Sequence, residues 1–374
     1  MAKFHIMVIR FSSLGDIVLN SSIMTHLKEH YGDNIHVSLL TSSMFTSLYE
    51  GHPSIDQIHG FSRKKGVGGL KQLFEFVGAI HRERPIDLFL DLHGTLRSLF
   101  LRLRFFHIPR LFIDKRTFER SLLTTFKVNI LSGQGDQAAK RIGPPHRFGE
   151  LLLSRTVTDF LGLFDLSAVK RKGDGRLSSV TQTFGDDPGF DLKKWGLEGK
   201  EKLYIVYVPS ASYPEKRWPP QSFLQLMRMK LEDDLYQHFS FVILAGPSDD
   251  FCSLFGPLQI EFPGRFFNLQ GQSNFAESTM LVKKALFVVG NDTGVPHIAE
   301  AVGTPSLFIL GPTGEEFGFY PHLYTSELVM KRIWCRPCTT NGKGNCIRSE
   351  RFCLTTITPL EISVTMDKML KKLC

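Results

Sequence analysis

The sequence predicts an α/β protein built from two Rossmann-like domains with a ligand cleft between them. Three observations support this fold class. Short apolar runs alternate with stretches of helical periodicity along most of the chain, which is typical of βαβ units and a mostly parallel sheet. A second alternating series begins at Lys202, after a stretch from 164 to 200 that has little periodicity. The length of 374 residues is also comfortable for two domains.

The first alternating series is predicted to form the first domain, residues 1–175. Its predicted strands lie at 4–11, 34–40, 55–61, 86–92 and 110–113. Its predicted helices, which carry apolar residues at helical spacing, lie at 17–31, 70–84, 95–106 and 146–163. The polar, weakly periodic stretch that follows predicts the linker between the domains.

The second series is predicted to form the second domain, residues 176–374. Its predicted strands lie at 204–208, 239–245, 266–269, 286–289 and 306–310. Its predicted helices lie at 219–231, at 275–285, from Pro296 onwards, and at 359–370. Pro296 is predicted to begin a helix because proline is favoured at the first helical position.

The composition limits the classes of protein to consider. A hydrophobic content of 42% and a charged content of 22% are those of a globular protein, and no apolar run approaches the roughly 20 residues that span a bilayer. The amino terminus lacks the long apolar segment of a signal peptide, so a cytoplasmic location is expected. The net charge of +8 suits anionic ligands or an anionic membrane surface. Because the basic residues are dispersed and no nucleic-acid motif is present, no nucleic-acid partner is expected.

A polar turn at 290–294 lies between a predicted strand and a predicted helix, and it is the strongest candidate for a ligand site. Open α/β sheets bind ligands at the carboxyl ends of their strands, and the free N–H groups of a helix amino terminus attract phosphate. Gly294 would let the backbone approach an anion closely, Asp292 offers acceptors to hydroxyl groups, and His297 falls in the first helical turn. The alternative is that Asp292 and Thr293 simply cap the helix.

Two further positions combine charge with the end of a predicted strand. Asp16 follows the first strand in a glycine-bearing turn, where it is either a helix cap or a general base directed into the cleft. Lys216 and Arg217 precede a predicted helix, where such a pair is either solvated surface or positive charge for a phosphate group. Packing alone can explain Trp218 beside them.

Five pieces of the sequence, taken in order, resemble glycosyltransferase family 9, the ADP-heptose:lipopolysaccharide heptosyltransferases. They are RFSSLGDIVL at 10–19, DLHGTLRS at 91–98, KRWPPQSF at 216–223, DTGVPHIAEAVGTPSLFILGPT at 292–313, and the cysteine-bearing tail. The resemblance extends over nearly the whole chain, and the order and spacing of the pieces are more specific than any single one. It implies a fold of the GT-B type, with the acceptor on the first domain and the nucleotide sugar on the second.

The resemblance implies an inverting glycosyltransferase that moves heptose from ADP-heptose, or a related nucleotide sugar, to a lipid-linked oligosaccharide acceptor of the lipopolysaccharide inner core. Asp16 matches the proposed catalytic base of the family, and Lys216 matches its lysine for the donor phosphates. The implied donor-binding residues are Ser210, Lys216, Arg217, Asp249 or its neighbour Asp250, Asp292, Thr293, Gly294 and His297. The implied acceptor-binding residues are Ser13, Gly15, His93 and Arg97.

The resemblance also implies a peripheral contact with the inner face of the inner membrane. Two alternatives stay open. One is a transferase of the same fold that uses another nucleotide sugar, and the other is a nucleotide-binding protein without transferase activity.

Metal-independent catalysis without a cofactor is expected, because the sequence has no D-x-D pair to hold a divalent ion at a leaving diphosphate. Lys216, Arg217 and helix dipoles would supply the positive charge instead. Four cysteines follow the pattern C-x2-C-x7-C-x6-C, namely Cys335, Cys338, Cys346 and Cys353. They are expected to lie close together, either as reduced structural thiols or as a structural metal site.

Overall fold

The computed structural model of the chain describes residues 3–62, 67–112, 120–127, 189–317, 320–321 and 323–373. The described residues fall into two compact units. The first contains those up to Phe112, and the second contains 120–127 together with the residues from Gly189 onwards. The predicted domain boundary between 175 and 176 and the predicted helix at 146–163 lie outside the described residues, so both stay predictions.

The first unit contains a five-stranded parallel sheet in the order β3-β2-β1-β4-β5. The strands are β1 (Phe4–Ile9), β2 (Ile35–Ser42), β3 (Gln57–Phe61), β4 (Leu88–Asp91) and β5 (Arg110–Phe112). The helices are α1 (Leu14–Tyr31), α2 (Val67–Glu83) and α3 (Leu96–Arg104). The predicted alternation is confirmed, but α1 begins earlier than predicted because the turn after β1 is itself its first helical turn.

The second unit contains a six-stranded parallel sheet in the order β11-β10-β9-β6-β7-β8. The strands are β6 (Tyr204–Val208), β7 (Ser240–Ile243), β8 (Phe266–Asn268), β9 (Phe287–Asn291), β10 (Ser306–Leu310) and β11 (Glu327–Met330). The helices are α4 (Pro220–Leu231), α5 (Gly256–Glu261), α6 (Phe275–Lys283), α7 (Gly294–Ala301), α8 (Phe352–Thr355) and α9 (Pro359–Leu373). The sequence did not predict β11, α5 or α8, which are too short to show a period.

The core of the second unit holds the carboxyl-terminal helix in place. Met366 and Met369 of α9 are fully buried in the same apolar cluster as Trp218. The indole N–H of Trp218 donates to the carbonyl oxygen of Ile357 at 2.9 Å, which confirms the packing interpretation of this residue. Among the helices of the described residues, none has the length and apolar character needed to cross a membrane.

The segment 120–127 belongs to the second unit although it precedes the rest of that unit in the sequence. It forms a π-helical turn, Leu122–Phe126, that ends at Lys127. The Nζ of Lys127 donates to the carbonyl oxygens of Cys335 and Pro337, both at 2.8 Å. This ammonium group therefore fastens the segment to the cysteine-bearing part of the chain.

Both sheets reverse the direction of their connections beside a central strand. In the first sheet β1 lies between β2 and β4, and in the second β6 lies between β7 and β9. The carboxyl ends of strands at such a reversal leave a crevice in which open α/β sheets bind ligands. Each unit therefore has its own expected site, after β1 and β4 in the first and after β6 and β9 in the second.

Candidate active site

In the first unit, two polar side chains hold Asp16 directly after β1. Asp16 lies in the first turn of α1, and its Oδ2 accepts a hydrogen bond from Ser13 Oγ at 2.8 Å. The same oxygen lies 2.5 Å from Nη2 of Arg10, whose positive charge stabilises the carboxylate. Ser13 is the N-cap residue of α1, without a capping bond from its side chain, and Gly15 lies between the two in the turn.

Arg10 is a site candidate that the sequence did not single out. Its side chain is only 7% exposed, so its charge needs partners. One partner is Asp16, and the other is the carbonyl oxygen of Leu92, to which the guanidinium group donates. Arg10 thereby links the chain after β4 to the carboxylate after β1. The available signal was an arginine placed directly after an apolar strand.

The first unit also contains a cavity of about 830 Å³. Ser12, Phe11, His93 and Arg97 are among its lining residues. The ring of His93 meets that of Phe11 edge-on at 5.5 Å, and the guanidinium carbon of Arg97 lies 5.4 Å from the centre of the same ring. The structure therefore brings two of the predicted acceptor residues, His93 and Arg97, together in one cavity. Ser13 directly follows Ser12, which also lines this cavity.

In the second unit, the neighbouring strands β6 and β9 approach the start of α7 closely. Gly290, at the point of closest approach, has no space for a side chain. A Cβ atom at Gly290 would lie 2.9 Å from Cβ of Val208 and 3.1 Å from Cγ of Pro296. Real Cβ atoms essentially never approach another atom as closely as 2.9 Å, so this close approach of β6, β9 and α7 favours glycine.

Asn291, which follows, is a second residue that the sequence did not single out. It is fully buried, accepts a hydrogen bond from the backbone N–H of Trp218 at 2.9 Å, and donates to the carbonyl oxygen of Pro209 at 2.8 Å. Asn291 therefore fixes both ends of the loop that carries Ser210 and Lys216. The signal was an amide side chain at the end of a buried strand, where it would need backbone partners.

Asp292 is the centre of a buried polar cluster. Its Oδ2 lies 2.6 Å from Nζ of Lys216 and accepts a hydrogen bond from Thr313 Oγ1 at 2.7 Å. Its Oδ1 lies 3.7 Å from Nε2 of His297. Burial alone would raise the pKa of Asp292, but the charge of Lys216 and the hydrogen bond of His297 outweigh burial and hold this pKa well below its ordinary value. The cluster is therefore an ion pair at the start of α7.

The geometry of α7 corrects two expectations. The helix begins at Gly294, which is buried, rather than at Pro296. Thr293 is the N-cap residue, with an extended backbone and no capping bond from its side chain. The carboxylate of Asp292 contacts Lys216 and Thr313 instead of capping. The capping alternative is therefore wrong for Asp292, and Thr293 occupies the N-cap position without a capping bond from its side chain.

Arg217 and Asp249, two predicted donor residues, contact each other. Nη2 of Arg217 lies 3.5 Å from Oδ1 of Asp249, and its Nε donates to the carbonyl oxygen of Ala211 at 2.9 Å. The second oxygen of Asp249 accepts from the backbone N–H of Gly246 at 2.8 Å. Ser210 is half-buried in the loop between them and β6. The carboxyl ends of β6, β7 and β9 thus present one charged surface.

The four cysteines of the carboxyl-terminal part line one small cavity, as their spacing predicted. Burial raises the pKa of Cys353 to about 11 and raises the pKa of Cys338 above its ordinary value. In the described part of the chain, no group of three or more His, Cys, Asp or Glu side chains is arranged to hold a metal ion. None of the four cysteines is part of a disulfide in the described residues, and the choice between reduced structural thiols and a structural metal site stays a prediction.

A family assignment follows from comparison with known proteins. The model of glycosyltransferase family 9 (heptosyltransferase) matches residues 149–345, more than half of the chain. The chain belongs to glycosyltransferase family 9. Lipopolysaccharide heptosyltransferase 1 of Campylobacter coli is 23% identical over an alignment that covers 94% of this chain and 95% of that protein. Lipopolysaccharide heptosyltransferase 2 of Escherichia coli (strain K12) is 29% identical over 121 residues, 31% of this chain and 33% of that protein.

Solved structures show the fold of this family 9 chain. The ADP-heptose lipopolysaccharide heptosyltransferase II of Escherichia coli superposes with a TM-score of 0.68 at 17% identity, covering 99% of each chain. The iron-containing dodecameric glycosyltransferase TibC of enterotoxigenic Escherichia coli H10407 gives 0.55 at 11% identity, covering 100% of this chain and 78% of that one. The fold is of the GT-B type, with two Rossmann-like domains, as the sequence predicted.

Proposed function

We propose that this family 9 chain is an inverting glycosyltransferase that moves heptose from ADP-heptose to a lipid-linked acceptor of the lipopolysaccharide inner core. The observation that carries the proposal is the ion pair of Lys216 and Asp292 at the start of α7. An ammonium group beside the N–H groups of a helix amino terminus suits a diphosphate. The name of the solved Escherichia coli relative supports ADP-heptose as the donor.

The donor would bind to the second unit. Lys216 and Arg217 supply positive charge to the leaving diphosphate, which makes a divalent metal unnecessary for this step. The backbone of Thr293 and Gly294 offers N–H groups to phosphate oxygens at the start of α7. Asp292 and His297 are buried, so their contribution is to hold Lys216 in place. Ser210 and Asp249 are assigned to the nucleoside part of the donor.

The base and the acceptor would belong to the first unit. The carboxylate of Asp16 removes the proton of an acceptor hydroxyl as that oxygen bonds to the anomeric carbon of the donor. The bond from this carbon to the diphosphate breaks on the opposite face, the electron pair leaves with ADP, and the configuration inverts. Ser13 and Gly15 shape the turn of Asp16. His93 and Arg97 bind the acceptor, since the guanidinium fork suits its phosphate or carboxylate groups.

On this proposal the acceptor domain spans 1–175, except for the segment 120–127, which belongs to the second unit, and the nucleotide-sugar domain spans 176–374. The protein would act in the cytoplasm, in peripheral contact with the inner face of the inner membrane, where a lipid-linked acceptor is accessible. The net charge of +8 supports that contact, because the membrane surface is anionic.

A panel of nucleotide sugars tests the proposal. We expect calorimetric binding of ADP-heptose, and transfer to deacylated inner-core acceptors with inversion, in preference to ADP-glucose, GDP-mannose and UDP-glucose. The transfer assay is run after exhaustive treatment with a chelator, and activity should persist. Turnover with another nucleotide sugar alone would replace the donor in the proposal. Donor binding without turnover on any acceptor would favour a nucleotide-binding protein without transferase activity.

A further inference from the structure

The cysteine segment, defined here as residues 335–353, packs directly on the side chain of Lys216. Gly342 lies in this segment with a φ of +90°. A Cβ atom at Gly342 would lie 2.7 Å from Cγ, Cδ and Cε of Lys216. The methylene stem of Lys216 therefore rests against the backbone of Gly342, at a distance that only glycine permits.

Lys216 has little freedom to avoid such a contact, because its other end is held. Its Nζ lies 2.6 Å from Oδ2 of Asp292 and donates to the carbonyl oxygen of the same residue at 3.3 Å. Its side chain is 12% exposed. A stem fixed at both ends can move away from Gly342 only if the ion pair with Asp292 changes.

A second contact joins the cysteine segment to the short helical turn Pro214–Lys216. The guanidinium group of Arg351 donates to the carbonyl oxygen of Pro214. Glu215, the middle residue of the turn, lines the cavity that the four cysteines share. The segment thus contacts the backbone of this turn as well as the stem of its last residue.

The cysteine segment also reaches Asp292, the other half of the ion pair, indirectly through Thr313. Nη2 of Arg336 donates to the carbonyl oxygen of Thr313 at 2.8 Å, and the N–H of Cys338 donates to the carbonyl oxygen of Pro312 at 3.0 Å. The hydroxyl group of Thr313 in turn donates a hydrogen bond to the carboxylate of Asp292. Both members of the ion pair therefore depend on contacts that begin in one segment.

We propose that the cysteine segment is a clamp that positions the Lys216–Asp292 ion pair, with Gly342 as its positioning residue on the lysine. The proposal rests on the proposed role of Lys216 in binding the donor diphosphate. It assigns the cysteine-rich tail a part in donor binding, through its contacts with Lys216 and with the residues that hold Asp292. Loosening the clamp should weaken the binding of ADP more than it lowers the stability of the fold.

The test compares two glycines of the same segment. Gly342→Ala places a methyl group against Lys216, whereas Gly344→Ala meets no atom within 4 Å although its φ of +120° is also positive. Both variants carry backbone strain, so Gly344→Ala is the matched control. We expect Gly342→Ala to weaken ADP binding roughly tenfold, measured by calorimetry, and Gly344→Ala to leave it close to wild type. Equal losses in the two variants would overturn the proposal.

A double-mutant cycle separates positioning from a general loss of structure. Lys216→Ala removes Cγ, Cδ and Cε, so Gly342→Ala has nothing to displace in that background. We expect Gly342→Ala to lower ADP affinity in the wild-type background and to have no further effect in Lys216→Ala. Additive losses would overturn the clamp. Unchanged ADP affinity in Lys216→Ala alone would instead remove the proposed role of Lys216, which is a separate failure.

Discussion

Asp16 and Asp292 have similar surroundings in their two units. Each carboxylate follows a central strand near the start of a helix, and each lies beside a basic group, Arg10 at 2.5 Å and Lys216 at 2.6 Å. Their exposed fractions differ, 27% for Asp16 and 3% for Asp292. A proton acceptor must reach its substrate, so the exposed carboxylate suits catalysis and the buried one suits the support of Lys216.

Asp16→Asn should lower kcat by roughly 10²-fold or more, because general base catalysis typically contributes 10²- to 10⁴-fold. The amide retains the size of the side chain but cannot take the proton. ADP affinity should be unchanged, since the proposed donor site belongs to the second unit. A modest fall in melting temperature is expected because Arg10 loses its charged partner. Steady-state kinetics, calorimetry and thermal unfolding measure the three effects.

Asp56→Asn is the matched control for that substitution. Asp56 is also 27% exposed and lies 2.7 Å from Nζ of Lys28. The control should lower the melting temperature by a similar amount without a loss of kcat. If both variants lose activity in proportion to their stability, Asp16 has a structural role only, and Asp91 and His93 become the next candidates for the base.

Gly294→Val should weaken ADP binding at least tenfold, which corresponds to about 1.4 kcal/mol. Gly294 is the buried first residue of α7, and a branched side chain there would stand between the backbone N–H groups and a phosphate. Gly294→Ala should fall between wild type and Gly294→Val. Calorimetric titration of each folded variant gives the affinities, and equal values for all three would remove this turn from the donor site.

At the scale of elements, the sequence predicted every strand of both sheets except β11. Buried parallel strands are continuous apolar runs bounded by turns, and this signal is strong for runs such as Tyr204–Val208. β11 has four residues at the edge of its sheet, and α5 has six residues that begin with glycine and proline, so neither shows a period. The predicted start of α7 at Pro296 is wrong, because proline also fits the third helical position and the helix begins at Gly294.

The polar contacts of the candidate site were less predictable than its elements. The motifs indicated Asp16, Lys216 and Asp292, because charged residues stood at strand ends. They could not indicate Arg10 or Asn291, whose roles depend on backbone groups distant in the sequence, such as the carbonyl oxygen of Leu92. Such contacts are set by packing, which no local pattern records.

The cysteine cluster yields a prediction about stability. Cys353→Ser should lower the free energy of unfolding by roughly 1–3 kcal/mol, since a hydroxyl group would replace a thiol in the apolar core. Cys346→Ser is the control, because Cys346 is only partly buried, and its loss should be smaller. Urea unfolding under reducing conditions measures both.

Equal losses for the two cysteine variants, together with one equivalent of iron or zinc in freshly purified protein, would contradict the reduced-thiol interpretation. They would establish a shared metal site, in which all four thiolates serve as ligands.

At the scale of the whole molecule, we expect stability to fall in mild acid. Burial lowers the pKa of His5 and of His52 from 6.5 to about 4 in each case. Between these values the unfolded chain binds more protons than the folded one, so the free energy of unfolding decreases as the pH falls from 6.5 towards 4. At pH 5 each of these histidines should lower the free energy of unfolding by roughly 2 kcal/mol.

Urea unfolding at pH 7.5 and pH 5 tests this dependence. His5 sits between Ser38 Oγ at 2.7 Å and the carbonyl oxygen of Pro85 at 3.1 Å, which a neutral ring satisfies as acceptor and donor. His52→Gln removes one titrating group and should flatten the dependence on pH. The same loss of stability between the two pH values in wild type and variant would show that His52 does not contribute to it.

The bonds of Lys127 have a consequence for the order of events during synthesis. Its two carbonyl partners, Cys335 and Pro337, lie 208 and 210 residues further along the chain. At about 5–20 residues per second on the ribosome, they are made roughly 10–40 s after Lys127. The second unit therefore cannot close around this ammonium group until Pro337 has been made. A nascent chain arrested before Cys335 should leave the 120–127 segment open to proteases, whereas the released protein protects it.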